Sequence, residues 1–314
     1  MAVTIRPATS DTDLAALVEI TDAVTPDDPT SLAEMRWTDA TYPGIARFVA
    51  ADADRVVGAA TVGRIFVYPP DHPDLWASLV VARDVRRRGI GSALLHAVST
   101  HARDAGKTGL QFRTWEHRPE GTDFLAQRGF SELERARMVR LQLTQLAASP
   151  VVMPAGIRLT DLAAHPDLVS GVHAVAVETF DDIPGGDTPM AAGDVAEFRA
   201  RDVDRPGIPA SAFMVALDEI TGEAVGYASL IMIPGSSTVA WHDMTAVRRA
   251  WRGRGIAVAL KRATIAWAID HGLTALETGN DEDNAAMRAV NGRLGYRPLP
   301  DEITMRGPLF SGGA

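Results

Sequence analysis

Arg86-Arg87-Arg88-Gly89-Ile90-Gly91 and Arg252-Gly253-Arg254-Gly255-Ile256-Ala257 are two copies of one motif, 166 positions apart. Each follows a short apolar run ending in Val81 or Val247, and each leads into an Ala-Leu helix start, Ala93-Leu94 or Ala259-Leu260. The order reads as strand, tight turn and helix, a layout that aims backbone N–H groups and the positive end of a helix at an anion. Laid over each other without a gap, residues 80–130 and 246–296 share 16 identities in 51 positions, among them Gly106/Gly272, Thr108/Thr274, Leu110/Leu276 and Gly129/Gly295. A match held in register over that length is an internal duplication, and it sets the architecture.

Outward from the motif, both halves restart alike, at Thr4-Ile5-Arg6 and at Gly156-Ile157-Arg158. The small, Pro-flanked stretch running from Ala147 through Ala148, Ser149 and Pro150 to Pro154 suits a linker. It predicts an N-terminal domain at 1–147 and a C-terminal domain at 154–314, and a chain of 314 residues is natural for two such units. Each half predicts a strand, a helix, an irregular polar stretch, a hairpin, the motif strand and helix, a further strand, a short helix and closing strands. The opening helix is expected at 11–23, with Thr9 or Ser10 as its cap. Hairpins are expected at 47–51 with 56–62, turning through Asp52-Ala53-Asp54, and at 213–217 with 224–231. The motif helices fall at 89–104 and 255–270, and the strands after them at 109–114 and 275–279. The fold class is α/β, with two tandem domains that each carry a mixed central β-sheet flanked by helices. The second half holds 14 extra residues before its motif, around Asp181-Asp182-Ile183-Pro184-Gly185-Gly186-Asp187. That composition reads as a loop, either a solvated insertion or a lid.

Composition narrows the function classes. With 46% apolar and 23% charged residues the chain is ordinary globular protein. It has no Cys, which excludes disulfides, thiolate metal sites and Cys nucleophiles, and no metal is expected. The N-terminus lacks a basic-then-apolar leader and no apolar run reaches the ~18 residues of a spanning helix, so a cytoplasmic protein without a membrane partner is expected. A net charge of −9 speaks against nucleic acid as a partner. Residues 1–149 carry 17 basic and 19 acidic side chains and residues 150–314 carry 14 and 21, which makes the second half the better host for a cationic substrate. Nothing in the sequence assigns an oligomeric state.

The Arg-Gly turn has a chemistry of its own. Its glycines let the backbone pass close to a ligand, consecutive N–H groups then point into one concavity, and the arginines add charge-assisted hydrogen bonds. A pyrophosphate fits such a turn. A phosphate loop of the G-x-x-x-x-G-K-S/T kind is absent, and neither turn supplies G-x-G-x-x-G.

Together with Ala126-Gln127-Arg128-Gly129-Phe130, Asn284-Ala285-Ala286-Met287 and Asn291-Gly292-Arg293-Leu294-Gly295-Tyr296, these residues resemble the GNAT superfamily of acyl-CoA-dependent N-acyltransferases over essentially the whole chain. The tandem layout resembles that of mycothiol synthases. The resemblance implies acetyl-CoA as cosubstrate, held across a splay in the sheet. Its pyrophosphate would lie on Arg252, Gly253, Arg254, Gly255, Ile256 and Ala257, and its pantetheine would pair with Thr245, Ala246 and Val247. Asn280 and Asn284 would bind the pantetheine arm or cap the short helix. Val81, Arg86, Arg88, Gly89 and Gly91 form a second candidate CoA site.

Transfer from a thioester to an amine needs a base for the amine, a donor for the oxyanion and, where available, an acid for the thiolate. A backbone N–H near Ala246 or Val247 is the expected oxyanion donor. The position at which family members can carry a Glu base holds Trp241; Asp243, two residues on and on the same strand face, is the leading base, with Glu277 on the neighbouring strand as a further candidate. His242 points to the opposite face unless the strand bulges. A gapless overlay sets Leu75, Trp76 and Ala77 of the first half against these positions, so the second half is the expected catalytic one. The family's thiolate-protonating Tyr falls on Asn291 and Leu125, which leaves Tyr227, water or direct release of thiolate. The acceptor expected is a primary amine of a small molecule, a cationic one drawn in by Asp181, Asp182 and Asp187; transfer to a protein N-terminus and a non-catalytic CoA-binding scaffold are the alternatives.

Overall fold

A computed structural model describes residues 3–26, 28–53, 55–147 and 150–312. The hairpin residue Asp54 and the linker residues Ala148 and Ser149 lie outside the described residues. The first half runs β1 (Thr4–Pro7), α1 (Asp11–Val24), α2 (Leu32–Thr41), β2 (Ala46–Asp52), β3 (Arg55–Arg64), β4 (Asp74–Val81), α3 (Ile90–Asp104), β5 (Gly109–Trp115), α4 (Pro119–Ala126) and β6 (Ser131–Gln142). The second runs β7 (Ile157–Asp161), α5 (Val169–Thr179), α6 (Val195–Phe198), β8 (Met214–Asp218), β9 (Ala224–Met232), β10 (Val239–Val247), α7 (Ile256–Asp270), β11 (Ala275–Asp281), α8 (Ala285–Leu294), β12 (Arg297–Pro298) and β13 (Glu302–Pro308).

Local chemistry places the helix starts. Ser10 caps α1 in a reciprocal box with Asp13, and Ser31 caps α2, a helix inside the stretch that reads as irregular from sequence. The two motif helices start differently: Gly89 and Gly255, at φ 82° and 84°, turn the chain left-handed into α3 and α7 with no side-chain cap. The first-turn N–H groups of both helices are thus left for something else.

The chain forms two compact units, Met1–Glu134 with Glu302–Ala314, and Arg135–Asp301. They differ from a cut at 147–154 because the closing strands are exchanged. In the first unit β13, from the far end of the chain, pairs antiparallel with β5, and the strand order is β1-β2-β3-β4-β5-β13. The second unit takes β6 instead, antiparallel to β11, in the order β6-β11-β10-β9-β8-β7. Arg306 on β13 pairs at 2.7 Å with the buried Asp74 on β4, which closes the first unit electrostatically as well as by its ladder.

Each sheet buries both faces. In the first unit Leu94, Leu95 and Val98 of α3 pack on one face, and Leu17, Ile20 and Val24 of α1 on the other. In the second unit α7 covers Ala216, Ala228 and Val247, while α5 covers Val215, Leu217 and Tyr227. The alternation of these strand residues between faces is the pleat at work.

One difference between the units matters most. In the first, β4 pairs with β3 without interruption from Leu75 to Val81. In the second, His242 pairs with Leu230 but Thr245 pairs with Ala228, so Asp243 and Met244 oppose the single residue Ser229. This is a β-bulge, one inserted residue. The gapless overlay of residues 75–77 on 241–243 is therefore off by one. Trp76 pairs with Gln111 as Trp241 pairs with Glu277, which makes Ala77 the counterpart of His242 and leaves the bulge without a counterpart.

Candidate active site

Three features of the second unit converge on the bulge. The first is an open strand edge. Parallel pairing of β10 with β11 is confined to Val239, Ala240 and Trp241, whereas β10 stays paired with β9 through Thr245, Ala246 and Val247. Past Trp241, β10 and β11 part, and the β11-facing edge carries peptide groups that no ladder takes up. Thr278 bridges the mouth of the splay by donating from Oγ1 to the His242 carbonyl at 2.8 Å.

The second feature is the Arg-Gly turn. Gly253 and Gly255 sit at φ 77° and 84°, and a Cβ on either would meet no atom within 4 Å. The turn is open where a ligand would lie. Arg252 braces it from within, donating through Nε to the Val247 carbonyl at 3.0 Å, and Arg254 lies over the Trp251 ring at 4.6 Å while bonding the Ala250 carbonyl. Asp181 and Asp182 belong here and form no free acidic rim for an acceptor. Asp182 accepts from Arg252 at 2.6 Å and from Arg249 at 2.7 Å, and Asp181 accepts from Arg249 at 2.9 Å. These guanidinium groups hold the Asp182 carboxyl below its ordinary pKa. Arg249, just before the motif, pairs with both carboxylates and Arg252 with Asp182 alone; Asp187 lies against Thr188.

The third is a group of ionisable side chains on the α5 face. Asp243, the first residue of the bulge and opposite in facing to His242, lies against Ser229, whose hydroxyl donates to it at 3.4 Å. Burial raises the Asp243 carboxyl above its ordinary value, with Arg205 and the Met244 N–H pulling the other way. Asp202, in the wide turn at Arg199–Val203, is pushed up to about 6 by burial, against the pull of Arg201 at 2.7 Å, and the charge of Asp243 adds to the rise. Tyr227 lies between these elements, 1% exposed, its hydroxyl buried without a hydrogen-bond partner. Burial raises its pKa well above the ordinary value, and both aspartates add to that. Sequence reasoning missed Asp202 and Arg205; their turn is irregular and carries no motif.

Glu277 pairs with Arg140 of β6 at 3.1 Å. Asn284 caps α8, accepting from the Met287 N–H at 3.1 Å. Asn280 accepts from Asn291 at 2.6 Å, and the Asn291 side chain is buried with its carbonyl oxygen unpartnered. At the position of the expected thiolate acid there is thus an amide, without a proton to give. His242 faces α7, opposite to Asp243.

In the first unit the turn at Gly89 is equally open, and it is the helix start behind it that is covered. Arg86 braces its turn as Arg252 does, from Nε to the Val81 carbonyl at 3.1 Å, and its guanidinium meets Glu120 at 3.4 Å as that of Arg252 meets Asp182 at 2.6 Å. Ala286 stands at the position of Glu120 in the second unit. A Cβ on Gly91 would come 3.1 Å from the Phe124 ring, so an aromatic side chain rests on the first turn of α3, clamped there by Arg128 at 3.7 Å. Arg87, with φ 64°, takes the left-handed position that Gly253 holds in the second unit.

The model of the Acetyltransferase (GNAT) family matches residues 15–130 and again 181–296. The chain belongs to the GNAT family. It is a tandem acetyltransferase: a mycothiol acetyltransferase of Parafrankia sp. (strain EAN1pec) is 26% identical over 295 residues, covering 84% of each chain. Among solved structures, a tandem GNAT protein from the clavulanic acid biosynthesis pathway aligns over 100% of both chains at 23% identity and a TM-score of 0.79. A GCN5-related N-acetyltransferase from Sphaerobacter thermophilus covers 98% of this chain, with 96% of its own length aligned, at 17% identity and a TM-score of 0.73. At these identities the structural likenesses speak for the fold. Among the described residues of this GNAT protein, no His, Cys, Asp and Glu side chains are grouped to hold a metal, and no helix is long and apolar enough to cross a membrane.

Proposed function

We propose that the second unit moves an acetyl group from acetyl-CoA to a primary amine of a small, cationic molecule, with Asp243 as the base. The observation that carries this reading is the bulge at Asp243 and Met244 beside an open strand edge and an open Arg-Gly turn, because the first unit has the turn without the bulge. Pyrophosphate would rest on the N–H groups of residues 252–257, with Arg252 and Arg254 beside it. The pantetheine would add to the open edge of β10 along Thr245, Ala246 and Val247, next to Asn280.

The chemistry then follows from the charges. A protonated amine is attracted to Asp202 and Asp243, the two carboxyls on one face, and loses its proton to Asp243, directly or through water. The neutral amine attacks the thioester carbonyl, and a backbone N–H at Ala246 or Val247 stabilises the oxyanion. Collapse breaks the carbon–sulfur bond and releases CoA as thiolate, whose low basicity lets it leave without a Tyr at Asn291. The relative named for mycothiol supports a small-molecule acceptor over a protein one.

Release of free thiol from acetyl-CoA, measured across a panel of small amines and N-terminal peptides, tests this. Small cationic amines should be acetylated, and Asp243→Asn should lower kcat by about 10²-fold or more while leaving the KM for acetyl-CoA within a factor of about two. Turnover with peptides alone, or an Asp243→Asn enzyme with wild-type kcat, would overturn it.

A further inference from the structure

Behind the bulge lies a buried polar network that the first unit lacks. His242, Lys261, Thr264, Thr278 and Tyr296 are all at most 4% exposed. Their counterparts in the first unit are Ala77, Leu95, Val98, Phe112 and Phe130, all members of its apolar core. Duplicate halves with the same packing therefore differ here in five buried positions, all five apolar in one half and polar in the other. Burying polar groups is unfavourable unless they are paired, so a network of this size in a position already solved with apolar side chains calls for a specific role.

The pairing has a direction. Thr264 donates from Oγ1 to the Lys261 carbonyl at 2.9 Å, which leaves its lone pairs to accept from His242 Nε2 at 3.1 Å. With the ring proton on Nε2, Nδ1 accepts from the Tyr296 hydroxyl at 2.9 Å. Thr278 holds the backbone of the same residue through its carbonyl at 2.8 Å. Burial favours the neutral ring this arrangement needs, and Lys261 adds to that when charged; its amine, whose pKa burial lowers to about 7, lies 5.5 Å from the centre of the Tyr296 ring. His242 is thus fixed at both ring nitrogens and at its carbonyl, and the register of β10 breaks at the next residue.

We propose that the Tyr296–His242–Thr264 chain is a positioning device: by anchoring His242 from the α7 face it fixes where the bulge begins, and so holds Asp243, the next residue, toward the acceptor site on the opposite face. This rests on the reading of Asp243 as the base. None of the three touches the reacting atoms. A strand free to slide by one residue would carry Asp243 to the other face, because the side-chain period is two. The first unit has neither the network nor the bulge.

Tyr296→Phe and Thr264→Val install the side chains that the first unit already packs at these positions, so both variants should fold. Each should lower kcat about tenfold or more, as expected for a displaced reacting group, with the KM for acetyl-CoA unchanged. Combined with Asp243→Asn, neither should lower kcat further, because the group they position is gone. Hydrogen exchange should quicken at the amides of residues 243–245 and stay unchanged in α7. Wild-type kcat in both variants, or losses that multiply with that of Asp243→Asn, would overturn the proposal. If Asp243→Asn alone keeps wild-type kcat, the base reading fails, and unchanged exchange at residues 243–245 would then separately refute the anchoring.

Discussion

Asp202 and Asp243 are carboxyls placed where ionisation is disfavoured, and that has a measurable signature at the scale of single residues. A carboxyl whose pKa is higher in the folded protein binds its proton more tightly there than in the unfolded chain. Its contribution to stability therefore falls as pH rises from the ordinary value of 3.8 through the folded value of about 6. Asp202→Asn should remove that loss. Relative to wild type, the variant should gain about 2 kcal/mol between pH 4 and pH 7 in denaturant unfolding, since each tenfold difference in proton affinity is worth about 1.4 kcal/mol and the unfolded carboxyl is already partly ionised at pH 4. A stability difference that is flat over this range would show that Asp202 ionises normally. Asp243 was legible in the sequence because it lies on the motif strand, two residues from a position that a family pattern singles out. Asp202 was not, since only the folded chain brings the turn at Arg199–Val203 near β10 from about 40 residues away in sequence. The same limit applies to Asp182: an acid in a Pro/Gly-rich stretch reads as free until the arginines it meets, Arg249 and Arg252, are placed.

Among the elements, the strands and helices that carry the site follow from period and punctuation. The apolar run of β9, the Ala-Leu face of α7 and the glycines before it identify themselves. The bulge does not, because a single inserted residue leaves a gapless overlay of the two halves intact downstream and wrong by one upstream. The paired tryptophans, Trp76 and Trp241, are the trace it leaves. The turns before α3 and α7 give a test at this scale. Arg87 is held left-handed where its counterpart is Gly253, and that conformation costs an L-residue roughly 1–2 kcal/mol. Arg87→Gly relieves the strain but frees the unfolded chain, so the first unit should gain about 0.5–1 kcal/mol, read from its unfolding transition. A loss of stability would mean that the Arg87 side chain contributes more than its backbone conformation costs.

For the whole molecule, the duplication was readable and the exchange of closing strands was not. The repeat lies in the sequence, whereas β6 and β13 are closing strands whose partners depend on which sheet edge the chain reaches. Duplication also gave the two halves room to diverge. One has an open Arg-Gly turn and the bulge with its buried network. The other rests Phe124 on the first turn of its motif helix. Acetyl-CoA should accordingly bind the second unit. Gly89 and Gly255 have φ values of 82° and 84°, so a valine at either imposes a similar backbone strain and projects its side chain into the corresponding turn. Calorimetric titration of acetyl-CoA into wild type, Gly89→Val and Gly255→Val, each checked for folding, should show one strong site that Gly255→Val abolishes and Gly89→Val leaves intact; loss of binding in Gly89→Val with full affinity in Gly255→Val would contradict the assignment of the active half.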